Sequence, residues 1–245
     1  MQRLPAAGSR FRGHLSRREA LAGAVITALQ GYGVEVDTVR AVDLDLKPGV
    51  ETDMGEGDDW PAVHDKLLAS QILVVASPTW LGRPSSVAQR VLERMDAMLS
   101  ETDDDNRPIA YNRVAGVLVT GNEDGAHHVI SEISGALGDI GYTIPGQAWT
   151  YWHLGPGPGP DYLDDDRGHE WSLSTGRAMA SNLVHTAQAL AASPLPAPPP
   201  PEPSAVGAWP RRTAASMSRN PTGRARVNTL EELRVRSVQG VLFTG

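Results

Sequence analysis

Two short apolar runs, each followed by a polar loop and a helix, constrain the fold of this chain more than any other feature. Residues 72–76 and 114–119 are continuous apolar stretches of strand length, which is typical of strands buried on both faces of a parallel sheet. Helical patterns follow at 85–99 and 126–140. Strands that alternate with helices of this length predict an α/β fold with right-handed crossovers.

Other segments extend the same alternation. A helix over 17–31 is expected to start at Ser16, because Ser16 and Glu19 have the spacing of a capping box. Residues 34–39 alternate between apolar and polar, as a half-exposed strand does. Pro61 suits the first turn of a short helix that runs to residue 70. Residues 143–152 predict a last strand and 171–190 a last helix.

Composition excludes several kinds of chemistry. The chain has 245 residues and no cysteine, so disulfides, thiol nucleophiles and Cys-ligated zinc or iron–sulfur centres are ruled out. The sequence has no apolar run long enough for a membrane span, and the first 20 residues lack the apolar core of a signal peptide. We therefore expect a cytoplasmic protein that does not associate with membranes.

Charge and proline content divide the chain near residue 193. Residues 193–245 hold seven arginines against three glutamates, a net charge of +4, so with −7 for the whole chain the first 192 residues carry −11. An acidic body argues against nucleic-acid binding. Eight prolines fall within 194–210 and predict an extended linker. We expect an atypical segment at 1–15, one domain at 16–192, and a largely disordered tail at 193–245, with a short helix near 230–238.

Two loops are the candidate functional region, because ligands of parallel α/β sheets bind at the carboxyl ends of the strands. The loop at 77–84 offers an aromatic ring, two prolines and hydroxyl groups, which suit a flat heteroaromatic ligand. It can equally be an ordinary connection that carries a surface tryptophan. The loop at 120–125 is rich in glycine and polar side chains. It can also be simply the start of a helix capped by Asn122 or Asp124.

Metal binding is the weaker interpretation of the remaining polar clusters. His128 and Glu132 are four residues apart on the predicted helix, but no further ligands stand at a recognisable spacing. The acidic stretch at 51–59 is more typical of a solvated surface loop. We therefore predict no metal site.

Three motifs together resemble the flavodoxin-like family of NADPH-dependent FMN reductases. They are ASPTWLGRPSS at 76–86, VTGNEDGAHH at 119–128, and GYTIP at 141–145 with Tyr151 and Trp152 close behind. The resemblance covers about residues 16–190. It implies a three-layer sandwich whose five-stranded parallel sheet has the order 2-1-3-4-5 and binds FMN at its carboxyl edge. It also suggests a dimer or larger assembly.

The resemblance further implies which residues contact the cofactor. In the family the loop after the third strand contacts the isoalloxazine and the loop after the fourth lines its other side, while a loop before the first helix binds the phosphate. Carried over to this chain, the expected FMN-binding residues are Ser16, Ser77, Pro78, Thr79, Trp80, Leu81, Gly82, Thr120, Gly121, Asn122, Glu123, Gly125 and Tyr151. No side chain is expected to act as an acid or base, because the flavin carries the redox chemistry.

The first strand of the family pattern is missing from the expected place. Residues 1–15 contain no apolar run of four and include three arginines. Three explanations remain open. Residues 1–7 form a poor strand, with Gly8, Ser9, Gly13 and Ser16 as a phosphate loop; the start is an altered version of a longer protein; or the domain has lost FMN.

The resemblance implies an oxidoreductase that uses FMN, takes electrons from NADPH or NADH, and reduces a quinone, a free flavin or another small acceptor. One alternative is a flavodoxin-type electron carrier whose acidic body docks a basic partner. A second alternative is an interaction domain without cofactor, whose proline-rich tail recruits partners.

Overall fold

The structure, a computed structural model, describes residues 19–156, 159–199 and 239–244. The helices are α1 (Glu19–Gly31), α2 (Trp60–Ala69), α3 (Ser86–Met95), α4 (Ala126–Ile140) and α5 (His169–Ala192). The strands are β1 (Glu35–Arg40), β2 (Ile72–Trp80), β3 (Arg83–Pro84), β4 (Val114–Thr120), β5 (Trp149–Trp152) and β6 (Gln239–Thr244). The α/β prediction is therefore confirmed.

The main sheet is parallel and has the order β1-β6-β2-β4-β5. This matches the predicted order 2-1-3-4-5 at every position except one, because β6 fills the place expected for the first strand. β6 pairs with β1 on one side and with β2 on the other. The prediction of a largely disordered tail over 193–245 was therefore wrong for residues 239–244. Sequence reasoning missed this strand because it is short and follows a basic, proline-rich stretch.

Helices cover both faces of the sheet, as the predicted three-layer sandwich requires. Alternate residues of β2 point to opposite faces of the sheet. Leu73 and Val75 pack towards α2, α3 and α4, whereas Val74 packs towards α1 and α5. Every residue of β2 except Trp80 is buried. This two-sided burial explains why the strand reads as a continuous apolar run.

The remaining differences concern boundaries. The helix predicted to reach residue 99 ends at Met95 and continues as a 3₁₀ turn to Ser100. The strand region predicted from residue 143 forms one isolated bridge, Thr143 to Val114, before β5 begins at Trp149. The helix start predicted at Ser16 and the helix predicted near 230–238 lie outside the described residues.

The acidic loop at 44–59 lies between β1 and α2, and an arginine of α3 holds it in place. The guanidinium of Arg94 on α3 donates two hydrogen bonds to the Asp58 carboxylate, at 2.9 and 2.7 Å. It also donates to the carbonyls of Lys47 and Glu51. Both side chains of the ion pair are 0% exposed. The expectation of a fully solvated loop was therefore wrong for Asp58, whose charge an arginine from outside the loop compensates.

Candidate active site

The predicted loop after the first apolar run is a β-hairpin. β2 continues past residue 76 to Trp80, and the chain returns through β3, with Thr79 opposite Pro84. Leu81 and Gly82 form the turn, with φ angles of 51° and 74°, and positive φ at both central residues is what a type I′ hairpin turn requires. Irregular structure was therefore the wrong prediction for residues 77–84. The sequence did not predict the hairpin, because proline is rare inside strands and β3 has only two residues.

A hydroxyl network fixes the base of this hairpin. Ser77 Oγ donates to the carbonyl of Pro78 at 2.8 Å and accepts from the backbone N–H of Ser85 at 3.0 Å. Ser85 in turn caps α3 by accepting from the N–H of Ala88. Ser77 is 2% exposed, so its side chain holds the hairpin to the start of α3.

The loop after β4 braces the hairpin tip. The carboxylate of Glu123 accepts from the backbone N–H of Leu81 at 2.6 Å. Directly after the turn, Arg83 Nη1 donates to Glu132 on α4 at 2.9 Å. Gly125 lies so close to the turn that a Cβ on it would stand 2.6 Å from the Cα of Gly82. Gly125 (φ +109°) is also the N-cap of α4, so the alternative in which Asn122 or Asp124 caps the helix is wrong.

A cavity of about 250 Å³ lies between the hairpin and the ends of β4 and β5. This places it at the carboxyl edge of the sheet, where ligands of parallel α/β folds bind. The volume is slightly below the roughly 300–1,000 Å³ of typical small-molecule sites, so the cavity suits a ring system whose substituents extend outside it. Its walls are formed by Pro78, Thr79, Trp80, Thr120, Gly121, Asn122, Trp152, Asp161 and Tyr162.

One threonine of this cavity carries a hydroxyl that lacks a hydrogen-bond partner within the described part of the chain. Thr79 is 2% exposed, and its Oγ1 makes no hydrogen bond to any residue that the structure describes. Leaving a buried hydroxyl unpaired costs about 1–3 kcal/mol, so this oxygen is a candidate contact for a bound ligand. Gly121 stands opposite it, where an added Cβ would be 3.0 Å from the Cβ of Thr79.

The wall opposite the hairpin is aromatic. The indole Nε1 of Trp152 donates to the carbonyl of Arg167 at 2.8 Å. Tyr162 meets Trp152 edge-on at 5.4 Å and stacks on His169 at 3.9 Å. Arg167 also donates to Asp165, and this bonding lowers the pKa of the Asp165 carboxyl to about 2. Arg167, whose carbonyl accepts the hydrogen bond from Trp152, therefore also forms an ion pair with Asp165.

Tyr151 points away from this cavity, because successive side chains of a strand alternate between its faces. It lies instead in a ring cluster with His127, Trp149, His153 and Trp171, at centroid distances of 4.9 to 5.9 Å. Its neighbour Trp152, 3% exposed, takes the place in the cavity wall. The alternation of β5 separates the two side chains, but a strand of four residues does not show from sequence which of them faces the cavity.

The structure thus brings together about half of the predicted FMN-binding residues. Those that line the cavity are Pro78, Thr79, Trp80, Thr120, Gly121 and Asn122. Ser77, Gly82, Glu123 and Gly125 support these walls, and Leu81 is 92% exposed at the hairpin tip. Ser16 lies outside the described residues. Asp161 and Tyr162 were missed, since the Gly-Pro repeat before them gives no strand or helix pattern.

The described residues contain no group of three or more His, Asp or Glu side chains arranged to hold a metal ion. His128 Nε2 and Glu132 Oε1 lie 3.1 Å apart. Arg83 contacts the same oxygen of Glu132, so this carboxylate is engaged by an arginine. In the same part of the chain, no helix is both long and apolar enough to cross a membrane.

Comparison with known proteins decides the family. The family model described as NADPH-dependent FMN reductase matches residues 8–153. The chain belongs to this family. The match spans the hairpin, the loop after β4 and all of β5 up to Trp152, so every cavity residue except Asp161 and Tyr162 lies within the family region.

Two relatives show how far the similarity extends. The 8-demethyl-8-aminoriboflavin-5'-phosphate synthase of Streptomyces davaonensis is 34% identical over 191 residues, covering 73% of this chain and 74% of that protein. A protein of Mycobacterium bovis named divalent metal cation transporter MntH is 41% identical over 201 residues, covering 79% of this chain. This chain spans only 28% of the latter protein, so cation transport is a statement about that longer protein.

A solved structure supports the fold over most of the chain. The crystal structure of RosB, which holds the bound intermediate 8-demethyl-8-formylriboflavin-5'-phosphate, is 28% identical to this chain with a TM-score of 0.66. The similarity covers 86% of this chain and 95% of RosB. The chain therefore has a flavodoxin-like fold, in agreement with its membership of the FMN reductase family.

Proposed function

We propose that this chain is a cytoplasmic FMN-dependent oxidoreductase that takes electrons from NADPH or NADH and passes them to a quinone, a free flavin or another small acceptor. The observation that carries the proposal is the cavity at the carboxyl edge of the sheet, whose wall contains the buried Thr79 hydroxyl, without a partner among the described residues. The family match supports FMN as the ligand.

The residues present fit an isoalloxazine ring. Trp80 and Trp152 offer aromatic surface on two sides of the cavity, the hydroxyl of Thr79 can donate to a ring heteroatom, and Gly121 lets the backbone approach closely. When bound, FMN supplies the hydride and electron transfer. The chain's own residues orient the ring, exclude water and offer hydrogen-bond donors. No side chain is assigned as an acid or base.

The first experiment asks whether the protein holds FMN at all. Purified protein should be yellow and release FMN on denaturation, or should quench the fluorescence of added FMN. Steady NAD(P)H oxidation in the presence of a quinone or free flavin would then distinguish a reductase from an electron carrier. A colourless protein that leaves FMN fluorescence unchanged would refute the flavin assignment and favour a domain without cofactor.

The Streptomyces relative and RosB favour a second candidate, in which FMN is the substrate and its ring is modified. The two candidates differ in what happens to the flavin itself. After incubation with FMN, a reductase returns FMN of unchanged mass, whereas a flavin-modifying enzyme returns a flavin altered at the ring. Mass spectrometry of the recovered flavin, with heat-denatured protein as the control, decides between them.

Trp80→Ala is expected to raise the Kd for FMN about threefold to tenfold, because one aromatic contact of this kind contributes about 0.5–1.5 kcal/mol. Trp171→Ala is the matched control. Trp80 and Trp171 are 50% and 45% exposed, but only Trp80 lines the cavity. Fluorescence titration of both variants measures the difference. Equal affinities would show that Trp80 does not contact the flavin.

Thr79→Val is expected to leave the stability of the free protein unchanged or raise it, because the variant removes a buried hydroxyl that no described residue hydrogen-bonds. FMN affinity should nevertheless fall, by about threefold to tenfold. Thr150→Val is the control, since the buried Thr150 hydroxyl does donate, to the carbonyl of Ser172 at 2.8 Å, and its loss should destabilise the protein. Thermal unfolding with and without FMN separates the two effects. A Thr79→Val variant that loses stability without losing affinity would assign the hydroxyl to the fold.

A further inference from the structure

Strand β6 occupies a groove that other parts of the chain form. β6 pairs in parallel along its whole length with β1, from Glu35 opposite Gln239 to Arg40 opposite Thr244. On its other side it pairs with β2. The preceding described residue is Pro199, so 39 residues separate β6 from the rest of the described chain. β6 is thus added to the sheet as a peptide strand would be, by backbone pairing on both edges.

The groove ends next to the candidate active site. The last pair between β6 and β2 joins Thr244 to Ala76, and the cavity residues of β2 begin two positions later, at Pro78. β4 supports the other edge of β2 up to the pair of Pro78 with Thr120. Among the described strands, β6 and β4 are therefore the two that pair with residues 72–76 of β2, the part of the strand that leads into the cavity wall.

The β6 side of the sheet is also the less buried side. Four of the six residues of β1 are exposed, whereas every residue of β4 is buried. Gly240 of β6 is buried between Val34 and Ile72. Regions with few buried apolar contacts open at a lower free energy than the core does, so the β1 edge is expected to separate from β6 before β2 separates from β4, which frees one edge of β6.

We propose that β1 and β2 form an acceptor groove for residues 239–244, that β6 leaves this groove without unfolding the rest of the domain, and that flavin binding strengthens its docking. The coupling rests on the proposed function, because it requires FMN to bind beside the end of the groove. A ligand that binds only the docked form shifts the equilibrium towards it by a factor of one plus the ratio of ligand concentration to Kd, about 100-fold at 100 times its Kd.

Hydrogen exchange of the full wild-type chain tests each part separately. Without flavin, the amides of β6 should exchange faster than those of β4. With FMN at 100 times its Kd, β6 exchange should slow by up to about 100-fold. β6 amides that exchange only as slowly as those of β4 would overturn the separate opening. FMN that protects the cavity loops but leaves β6 unchanged would overturn the coupling.

Val241→Pro provides the second measurement, because proline in a central strand removes a ladder hydrogen bond. It should weaken FMN binding tenfold or more relative to Val241→Ala, which keeps the N–H. Equal affinities would overturn the coupling, and if the proline variant does not fold, the wild-type exchange data decide. If the wild type binds no FMN, the proposed function and the coupling both fail, while exchange in the free protein still tests the opening of β6.

Discussion

Arg94→Met is expected to lower the free energy of unfolding by about 3–5 kcal/mol, the largest effect on stability that we predict. Removing one partner of a buried ion pair leaves the other charge without compensation. Here the remaining charge is Asp58, whose side chain is 0% exposed. The variant also leaves the carbonyls of Lys47 and Glu51 without the donors that Arg94 supplies. Urea denaturation followed by circular dichroism measures the loss.

The double variant Arg94→Met with Asp58→Leu is the control. It removes both charges, so it should be less destabilised than Arg94→Met alone, since apolar replacements of a buried pair are often close to neutral. If the free energy of unfolding falls in the double variant by as much as the sum of the two single variants, the pair has no coupling energy and the prediction is wrong.

The same ion pair predicts a pH dependence. Burial alone would raise the pKa of Asp58, but hydrogen bonds from Arg94 and from the backbone N–H groups of Met54 and Trp60 hold that pKa well below its ordinary value. A carboxyl with a depressed pKa contributes stability that is present above its unfolded pKa, about 3.9, and is lost as the pH falls towards the folded pKa. Wild-type stability should therefore decline below about pH 4. In Asp58→Asn this part of the decline should be absent.

Gly125→Ala is expected to weaken FMN binding about tenfold or more and to destabilise the protein by about 1–3 kcal/mol. The added Cβ would stand 2.6 Å from the Cα of Gly82 and 3.1 Å from its carbonyl oxygen. Both are backbone atoms, so the clash is relieved only by moving the hairpin turn. That movement shifts Trp80 and Thr79, which line the cavity. The positive φ of Gly125 adds strain for any residue with a side chain.

Gly135→Ala is the matched control on the same helix. Gly135 lies inside α4, and a Cβ there would meet nothing within 4 Å. Alanine is the better helix former, so this variant should gain about 0.5–1 kcal/mol and keep wild-type FMN affinity. Thermal unfolding and FMN titration of both variants test the pair. If Gly125→Ala binds FMN as Gly135→Ala does, contact between the loop after β4 and the hairpin does not position the site.

The sequence predicted the parts of the fold that local pattern controls. α4 was predicted at the observed boundaries, 126–140, because its apolar spacing is regular and Gly125 and Gly141 flank it. β2 and β4 were found because burial on both faces leaves a continuous apolar run. β6 could not be found in this way, because its place in the sheet depends on pairing with β1 and β2, which lie far away in sequence.

In the candidate site, too, local sequence patterns predicted some residues and not others. Pro78, Thr79 and Thr120 follow recognisable strands, so their place at the carboxyl edge could be predicted. The choice between Tyr151 and Trp152 depends on which face of β5 meets the cavity, and β5 has only four residues to set that alternation. Tyr162 reaches the cavity through a 3₁₀ turn after a Gly-Pro repeat, where local sequence carries no directional signal.

The central position of β6 has a consequence for biosynthesis. A chain that emerges from the ribosome presents β1 and β2 more than 150 residues before β6, so the inner edges of both strands stay unpaired during most of translation. Exposed strand edges promote association with other chains, and sheets that depend on distant pairings fold slowly. We therefore expect the nascent protein to depend on chaperones until its last described strand has been synthesised. Premature termination upstream of residue 239 should yield aggregated product.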